Sequence, residues 1–386
     1  MCKSTLDFLR WHYKNSRDSR YHRRLTSVTD SIRIRAAMSD LPAYKAGKKV
    51  DPVGDLVAFK LSSNENPLEP LPGILEVIAH SASEINRYPD PFNTSLTMAL
   101  ATKFGVNPDM IAIGTGSVGV CQQIVQAVAD AGDEVMFAWR SFEAYPIITA
   151  IAGARAVMVA LDEDHAHDLS KMADAITEHT SVIFVCTPNN PTGTIVTQEQ
   201  FDSFMTRVPH NVLVVIDEAY VEFNRDPHVV DGILCISKYP NVGVLRTFSK
   251  AYGLAGLRVG FFVGPVEVAQ AVRKTAVPFG VSTIAQDAAV ASLASEEALF
   301  ERVNQIVQTR RWFETKVREL GYDLAESQAN FVWLPLRERT DDFVKECAAQ
   351  AVAVRPFSGE GVRISIGEIE PLERLLEILK QFQQLG

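Results

Sequence analysis

Residues 211–217 read NVLVVID, an unbroken aliphatic run of strand length closed by a carboxylate. A strand with water on one face alternates apolar and polar residues, so a run without alternation belongs to a strand covered on both faces. The same texture recurs from about residue 109 onward, in MIAIGTGS (110–117), EVMFAW (134–139), ARAVMVAL (154–161), SVIFVC (181–186), NVGVLRT (241–247) and VGFFVG (259–264). Helix-length segments such as 143–152, 170–178 and 197–207 separate several of them, and VGVCQQIVQAVAD (118–130) has its apolar residues at helical spacing. Strands alternating with helices around a doubly covered sheet predict an α/β fold with a mostly parallel central sheet.

Beyond residue 295 the pattern changes. A long charged helix is predicted over roughly 296–320, then ANFVWLPL (329–336), a helix near 340–350, AVAVRPF (351–357), GVRISIG (361–367) and a final helix over 370–384. These make a smaller α/β unit that needs the 38–65 segment to thicken its core. The expected division is a basic extension at 1–37, an arm at 38–65 belonging to the small domain, a large domain at 66–295 and a small domain at 296–386.

Composition limits the function classes. At 386 residues, 47% hydrophobic and 22% charged, the chain is an ordinary globular protein long enough for two domains. No apolar run approaches the roughly 18 residues that would cross a bilayer. The net charge of −9 argues against a general nucleic-acid binder. The five cysteines, at 2, 121, 186, 235 and 347, have neither paired spacing nor accompanying histidines, so no metal site is suggested. They read as buried free thiols of a cytoplasmic protein. Residues 1–37 differ, with nine Lys/Arg against three Asp. They read as a disordered arm, or as sequence upstream of a start at Met38.

Ligands of an open α/β sheet sit where strands end, and the chain places an unusual set of residues there. IGTGSVG (113–119) puts Gly116 and Ser117 in a turn that opens a helix, where free N–H groups suit a phosphate. CTPNNPTGT (186–194) projects Asn190. Asp217 ends a buried strand and needs a partner there, which a cationic ring nitrogen, a structural Arg or a helix start would supply, with Tyr220 one turn on if the segment is helical. In RTFSKAYGLAGLRVG (246–260), Lys250 stands in an apolar stretch between Thr247 and Ser249 on one side and Arg258 on the other. Alone it would read as a surface lysine. In this company it reads as an amine of lowered pKa beside an anion cradle.

Taken together with LPAYKAGKK, LSSNENP, NRYPDP and WRSFEAYP, these motifs resemble the fold-type I, aspartate-aminotransferase-like enzymes that use pyridoxal 5′-phosphate. The likeness runs from about Leu41 to the end. It is nearest to the histidinol-phosphate and aromatic amino-acid branch, above all the actinobacterial aromatic (phenylalanine) aminotransferases.

The resemblance implies roles. Lys250 would hold the cofactor as an internal aldimine and move the substrate's α-proton. Asp217 would keep the pyridine nitrogen protonated, Asn190 and Tyr220 would bond its 3′ oxygen, and Phe142 would stack on the ring. Gly116, Ser117, Val118, Thr247, Ser249 and Arg258 would hold the phosphate, joined by Tyr88 of a partner subunit in a homodimer with shared active sites. Arg363 would clamp the substrate carboxylate, with Arg355 and Tyr44 as further substrate contacts. Val118 stands where many histidinol-phosphate enzymes carry an acidic residue, a departure that weakens that substrate and leaves phosphate binding intact.

The implied reaction moves an amino group from an aromatic amino acid to 2-oxoglutarate. The alternative is histidinol-phosphate transamination in histidine biosynthesis. More distant alternatives are a decarboxylase or C–S lyase on the same fold, or a regulator that binds DNA. Residues 1–37 lack helix-turn-helix patterning for that last role.

Overall fold

The computed structural model describes residues 50–384, together with Ile32, Ile34, Arg35, Met38, Leu41 and Gly47. The chain divides into two units, residues 1–40 and 41–386, and the elements below belong to the second. The rest of the basic extension, and Tyr44, lie outside the described residues.

Strands β1 (Ile111–Gly114), β2 (Glu134–Trp139), β3 (Arg155–Ala160), β4 (Thr180–Cys186), β5 (Leu213–Asp217), β6 (Val242–Thr247) and β7 (Gly260–Val263) form one sheet in the order β1-β7-β6-β5-β4-β2-β3. Strand β7 runs antiparallel to both its neighbours, and every other pairing is parallel. This is the predicted α/β architecture.

Along β2, Val135 and Phe137 join the apolar cluster on one face of the sheet, while Met136 and Ala138 join the cluster on the other. Strand β4 divides likewise, Val182 and Phe184 against Ile183 and Val185. Two covered faces are what an unbroken aliphatic run requires. ARAVMVAL departs from that reading. Strand β3 is the last of the sheet, and at this rim Arg155, Met158 and Ala160 meet solvent.

Helix ends follow local capping. The box Thr197–Gln200 starts helix Gln198–Met205, with each side chain bonding the other's backbone N–H. The segment expected to be helical over 170–178 is the shorter Leu169–Asp174, capped by Asp168. After Asp217 the chain makes a turn and then a single 3-10 turn at Val221–Phe223, so Tyr220 does not lie one α-helical turn from Asp217.

A second, antiparallel sheet holds β8 (Phe331–Leu334), β9 (Arg355–Phe357) and β10 (Gly361–Ser365) in the order β9-β10-β8. Phe59–Lys60 pairs parallel with Val352–Ala353, which joins this segment to the C-terminal elements. Helix Glu296–Glu319 buries Leu299, Val303, Ile306, Phe313 and Val317 on one stripe, and helix Ile369–Gln384 buries Leu372, Leu375, Leu379 and Phe382. No helix among the described residues is long and apolar enough to cross a membrane.

One glycine fixes how a helix meets the main sheet. Gly260 opens β7 opposite Gly114. A Cβ on it would stand 2.4 Å from the Ser117 nitrogen, 2.7 Å from the Gly116 carbonyl carbon and 3.0 Å from the Arg246 oxygen. All three are backbone atoms, which cannot step aside. Gly260→Ala should therefore destabilise the fold by roughly 1–3 kcal/mol in chemical denaturation. Gly256→Ala, whose Cβ meets nothing within 4 Å, should change stability by less than about 0.5 kcal/mol. Equal effects would contradict the close approach.

Candidate active site

Strands β4, β5 and β6 end side by side. Cys186 is paired with Asp217, and Asp217 with Leu245, two residues before Thr247. At this carboxyl edge lies a cavity of about 280 Å³. Ser117, Val118, Phe142, Asn190, Asp217, Tyr220, Thr247, Ser249, Lys250, Arg258, Arg355 and Arg363 all line it. Sequence positions spread over some 250 residues thus converge on one space. Gly116 borders it through Arg258. Tyr88 does not line it, and leaves 81% of its surface to solvent while stacking on Phe279 with ring centroids 4.6 Å apart.

Among the described side chains, one hydroxyl anchors Asp217. The Tyr145 hydroxyl donates to Oδ2 at 2.6 Å, and Oδ1, also buried, has no hydrogen-bond partner among the described residues. Burial pushes the carboxyl up to about 6, against the lowering effect of the Tyr145 hydrogen bond. The group's usual value is 3.8, so the stability gained from its protonated form is complete below that pH and lost as pH rises through about 6. A cation against Oδ1 would reverse that balance.

Lys250 faces the opposite problem. Burial, then the Arg363 charge, lower its amine to about 7. Its Nζ donates to the backbone oxygens of Ser63 and Asn64, each at 3.3 Å, and lies 5.8 Å from the centre of the Tyr220 ring. Its folded pKa is depressed from 10.5, so the stability from the neutral amine is complete above that pH and lost as pH falls through about 7. An amine largely unprotonated just above neutrality can act as nucleophile and as base.

Beside it stand groups that could hold an anion. The Ser249 amide donates to Thr247 Oγ1 at 3.1 Å, and Arg258 Nη1 donates to Ser249 Oγ at 3.3 Å. Arg258 has φ 56°, a left-handed backbone that a branched or long side chain adopts at some cost. Gly116 has φ 76°, and a Cβ there would fall 2.5 Å from Arg258 Nη2. Glycine thus lets the guanidinium close on the start of helix Gly116–Val128, whose first N–H groups favour negative charge.

A third group ties the two sheets together. Arg363 donates through Nη1 to Asn190 Oδ1 at 2.5 Å and through Nη2 to the Ser62 oxygen at 2.9 Å. Asn64, at φ 53°, donates through Nδ2 to the Tyr220 hydroxyl at 3.0 Å and accepts from Ser365 Oγ at 3.0 Å. Burial raises the Tyr220 phenol, so it remains a hydroxyl.

Asn64, Tyr145, Glu143 and Cys186 are site residues that sequence reasoning missed. They lie inside LSSNENP, WRSFEAYP and CTPNNPTGT, so their segments were recognisable, but their partners are distant in sequence. Tyr145 bonds a residue 72 positions away, and Asn64 one 156 positions away. Cys186, like Cys121, Cys235 and Cys347, is free and buried. Burial raises its thiol, leaving it uncharged in the cavity.

The family model for aminotransferase class I and II matches residues 57–379. An aromatic amino acid aminotransferase of Streptomyces avermitilis is 55% identical over 92% of this chain and 98% of its own length. One of Thermobifida fusca is 50% identical over 90% and 97%. Among solved structures, the histidinol-phosphate aminotransferase of Sinorhizobium meliloti in complex with pyridoxal-5′-phosphate superposes with a TM-score of 0.82 at 28% identity, covering 93% of this chain and all of that one. The aspartate aminotransferase of Thermus thermophilus shares the fold at a TM-score of 0.74, 24% identity and coverage of 85% and 92%. The protein is a member of the class I and II aminotransferases, with the aspartate-aminotransferase-like, fold-type I architecture.

Proposed function

We propose that the chain moves the amino group of an aromatic amino acid, of the phenylalanine or tyrosine type, to 2-oxoglutarate, with pyridoxal 5′-phosphate in the cavity. The observation that carries this reading is one space shared by a weakly basic Lys250, an unpartnered Asp217 oxygen, the Arg258 anion cradle and Arg363. That set fits a ligand with a cationic ring nitrogen at one end and a phosphate at the other. When bound, pyridoxal phosphate supplies a carbonyl that takes up amines and a ring that withdraws the electrons left at the substrate's α-carbon.

The chain's own residues do the rest. Asp217 Oδ1 accepts from the ring nitrogen and keeps it charged. Asn190, its carboxamide oxygen engaged by Arg363, has Nδ2 left to donate to the ring oxygen. Tyr220 accepts from Asn64 and so has its own proton to donate there. Phe142 covers the ring face, while Thr247, Ser249, Arg258 and the amides of Gly116, Ser117 and Val118 hold the phosphate. Arg363 takes the substrate's α-carboxylate. Lys250 Nζ accepts the proton that leaves the α-carbon, and the low polarity that keeps it neutral makes it fit for that task.

The aromatic amino acid aminotransferases of Streptomyces avermitilis and Thermobifida fusca, at 55% and 50% identity, support the aromatic substrate. Histidinol phosphate is the second reading, favoured by the Sinorhizobium structure at 28%. The test compares kcat/KM for phenylpyruvate with glutamate against histidinol phosphate with 2-oxoglutarate. We expect the aromatic pair to lead by at least about tenfold, or roughly 1.4 kcal/mol of transition-state preference. A lead for histidinol phosphate would overturn the aromatic assignment.

The site is also proposed to be completed by a second copy. Tyr88 lies outside the cavity of its own chain, and Ile85, Phe92 and Val277 are 73%, 80% and 71% exposed. Apolar exposure of that kind suits an interface. Co-expressing Tyr88→Ala chains with Lys250→Ala chains should yield hybrid dimers with one intact site each. Such preparations should regain tight cofactor binding and turnover that neither homodimer has. No recovery in isolated hybrids would show that Tyr88 does not act across subunits.

A further inference from the structure

Two arginines enter the cavity from the small sheet. Arg355 on β9 stands directly opposite Arg363 on β10 in the antiparallel pairing. Opposed residues share a face with Cβ atoms about 5 Å apart, so both guanidinium groups are directed to one side. Both line the cavity that holds Lys250. Arg363 is fixed by Asn190 and Ser62, neutral partners. Arg355 is partnered by a carboxylate, with Nη2 2.5 Å from Glu143 Oε2.

Glu143 belongs to the loop after β2, just ahead of helix Ala144–Ala152, so this ion pair spans the cavity from the main sheet to the small one. A second pair, Arg140 with Glu360, joins the same two segments. The Glu143–Arg355 pair is asymmetric. The Arg355 side chain is 8% exposed and the Glu143 side chain 27%. The guanidinium is thus the fixed member, and the carboxylate is the one that can turn out to water.

The proposed reaction requires one cavity to take two unlike side chains, an aromatic ring and a chain ending in a carboxylate. A substrate ring packed against an unpaired guanidinium would leave that charge desolvated with only a modest cation–π attraction to offset the cost, whereas a wall neutralised by Glu143 can pack against a ring. A distal carboxylate can replace Glu143 on Arg355, because one charge-assisted pair is exchanged for another of the same kind. We propose that Glu143 and Arg355 form an exchangeable pair. It is closed when the substrate is aromatic, and opened by the distal carboxylate of a dicarboxylic substrate, with Glu143 as the internal competitor that sets the balance. This inference rests on the aminotransferase reading with an acidic 2-oxo acid as partner substrate.

The test uses unreactive mimics, glutarate for the dicarboxylic substrate and 3-phenylpropionate for the aromatic one. Each is titrated by calorimetry into the cofactor-loaded protein, and the measured quantity is the ratio of their affinities. Glu143→Gln removes the competitor and should raise the ratio of glutarate to 3-phenylpropionate affinity about fivefold. Arg355→Met removes the acceptor and should lower it about tenfold or more. A merely structural ion pair would change both affinities alike, so an unmoved ratio in either variant overturns the proposal. A fall in the ratio for Glu143→Gln overturns it too. Turnover of phenylalanine by the unaltered protein is measured alongside. Its absence would count against the aromatic reading, while the two ratios would still decide the exchange.

Discussion

The site depends on a carboxylate that the fold buries and only half satisfies. Asp217 closes a strand with apolar clusters on both faces, and among the described side chains Tyr145 alone anchors it, through Oδ2. An uncompensated buried charge is costly, and here the cost appears as a carboxyl driven up to about 6. The rest of the cavity follows from supplying what Asp217 lacks. In the proposed function the ligand brings a positive charge to Oδ1, and the other fixed groups follow from how that ligand would extend: Arg258 at its anionic end, Lys250 at its reactive carbon and Arg363 where a substrate carboxylate would lie.

Much of this was legible in the chain, for a physical reason. A parallel sheet buried on both faces leaves an aliphatic run unbroken, so NVLVVID and SVIFVC reveal both the strands and the edge where they stop. Residues just past those stops, Asn190, Tyr220 and Lys250, become site candidates through their position together with the motifs around them. The edge strand β3 escaped the same reading because an apolar run looks alike at the rim and at the centre of a sheet. The helix expected over 170–178 was too long because its periodic pattern continues into residues that are no longer helical.

What stayed hidden was pairing between distant segments. Tyr145 sits in a helix of apolar residues, and nothing beside it announces that its hydroxyl meets Asp217. Glu143 reads as an ordinary charge at a helix start until Arg355 is seen across the cavity. Asn64 is one residue in a polar stretch, yet it links Tyr220, Ser365 and, through its backbone oxygen, Lys250. These contacts join the arm and the small sheet to the main sheet. The cavity walls therefore come from both sheets, while the buried floor at Asp217 comes from one.

On the proposed function, the fold holds Lys250 as a largely neutral amine aimed at a pyridoxal phosphate site. The most direct measurement adds that cofactor to the cofactor-free chain at a series of pH values, traps the adduct with borohydride and locates it by peptide mapping. We expect the adduct on the Lys250 peptide, with a trapping rate that reaches its half-maximum near the amine's value of about 7. Trapping spread over other lysines, or a half-maximum near the 10.5 of an ordinary lysine, would contradict it.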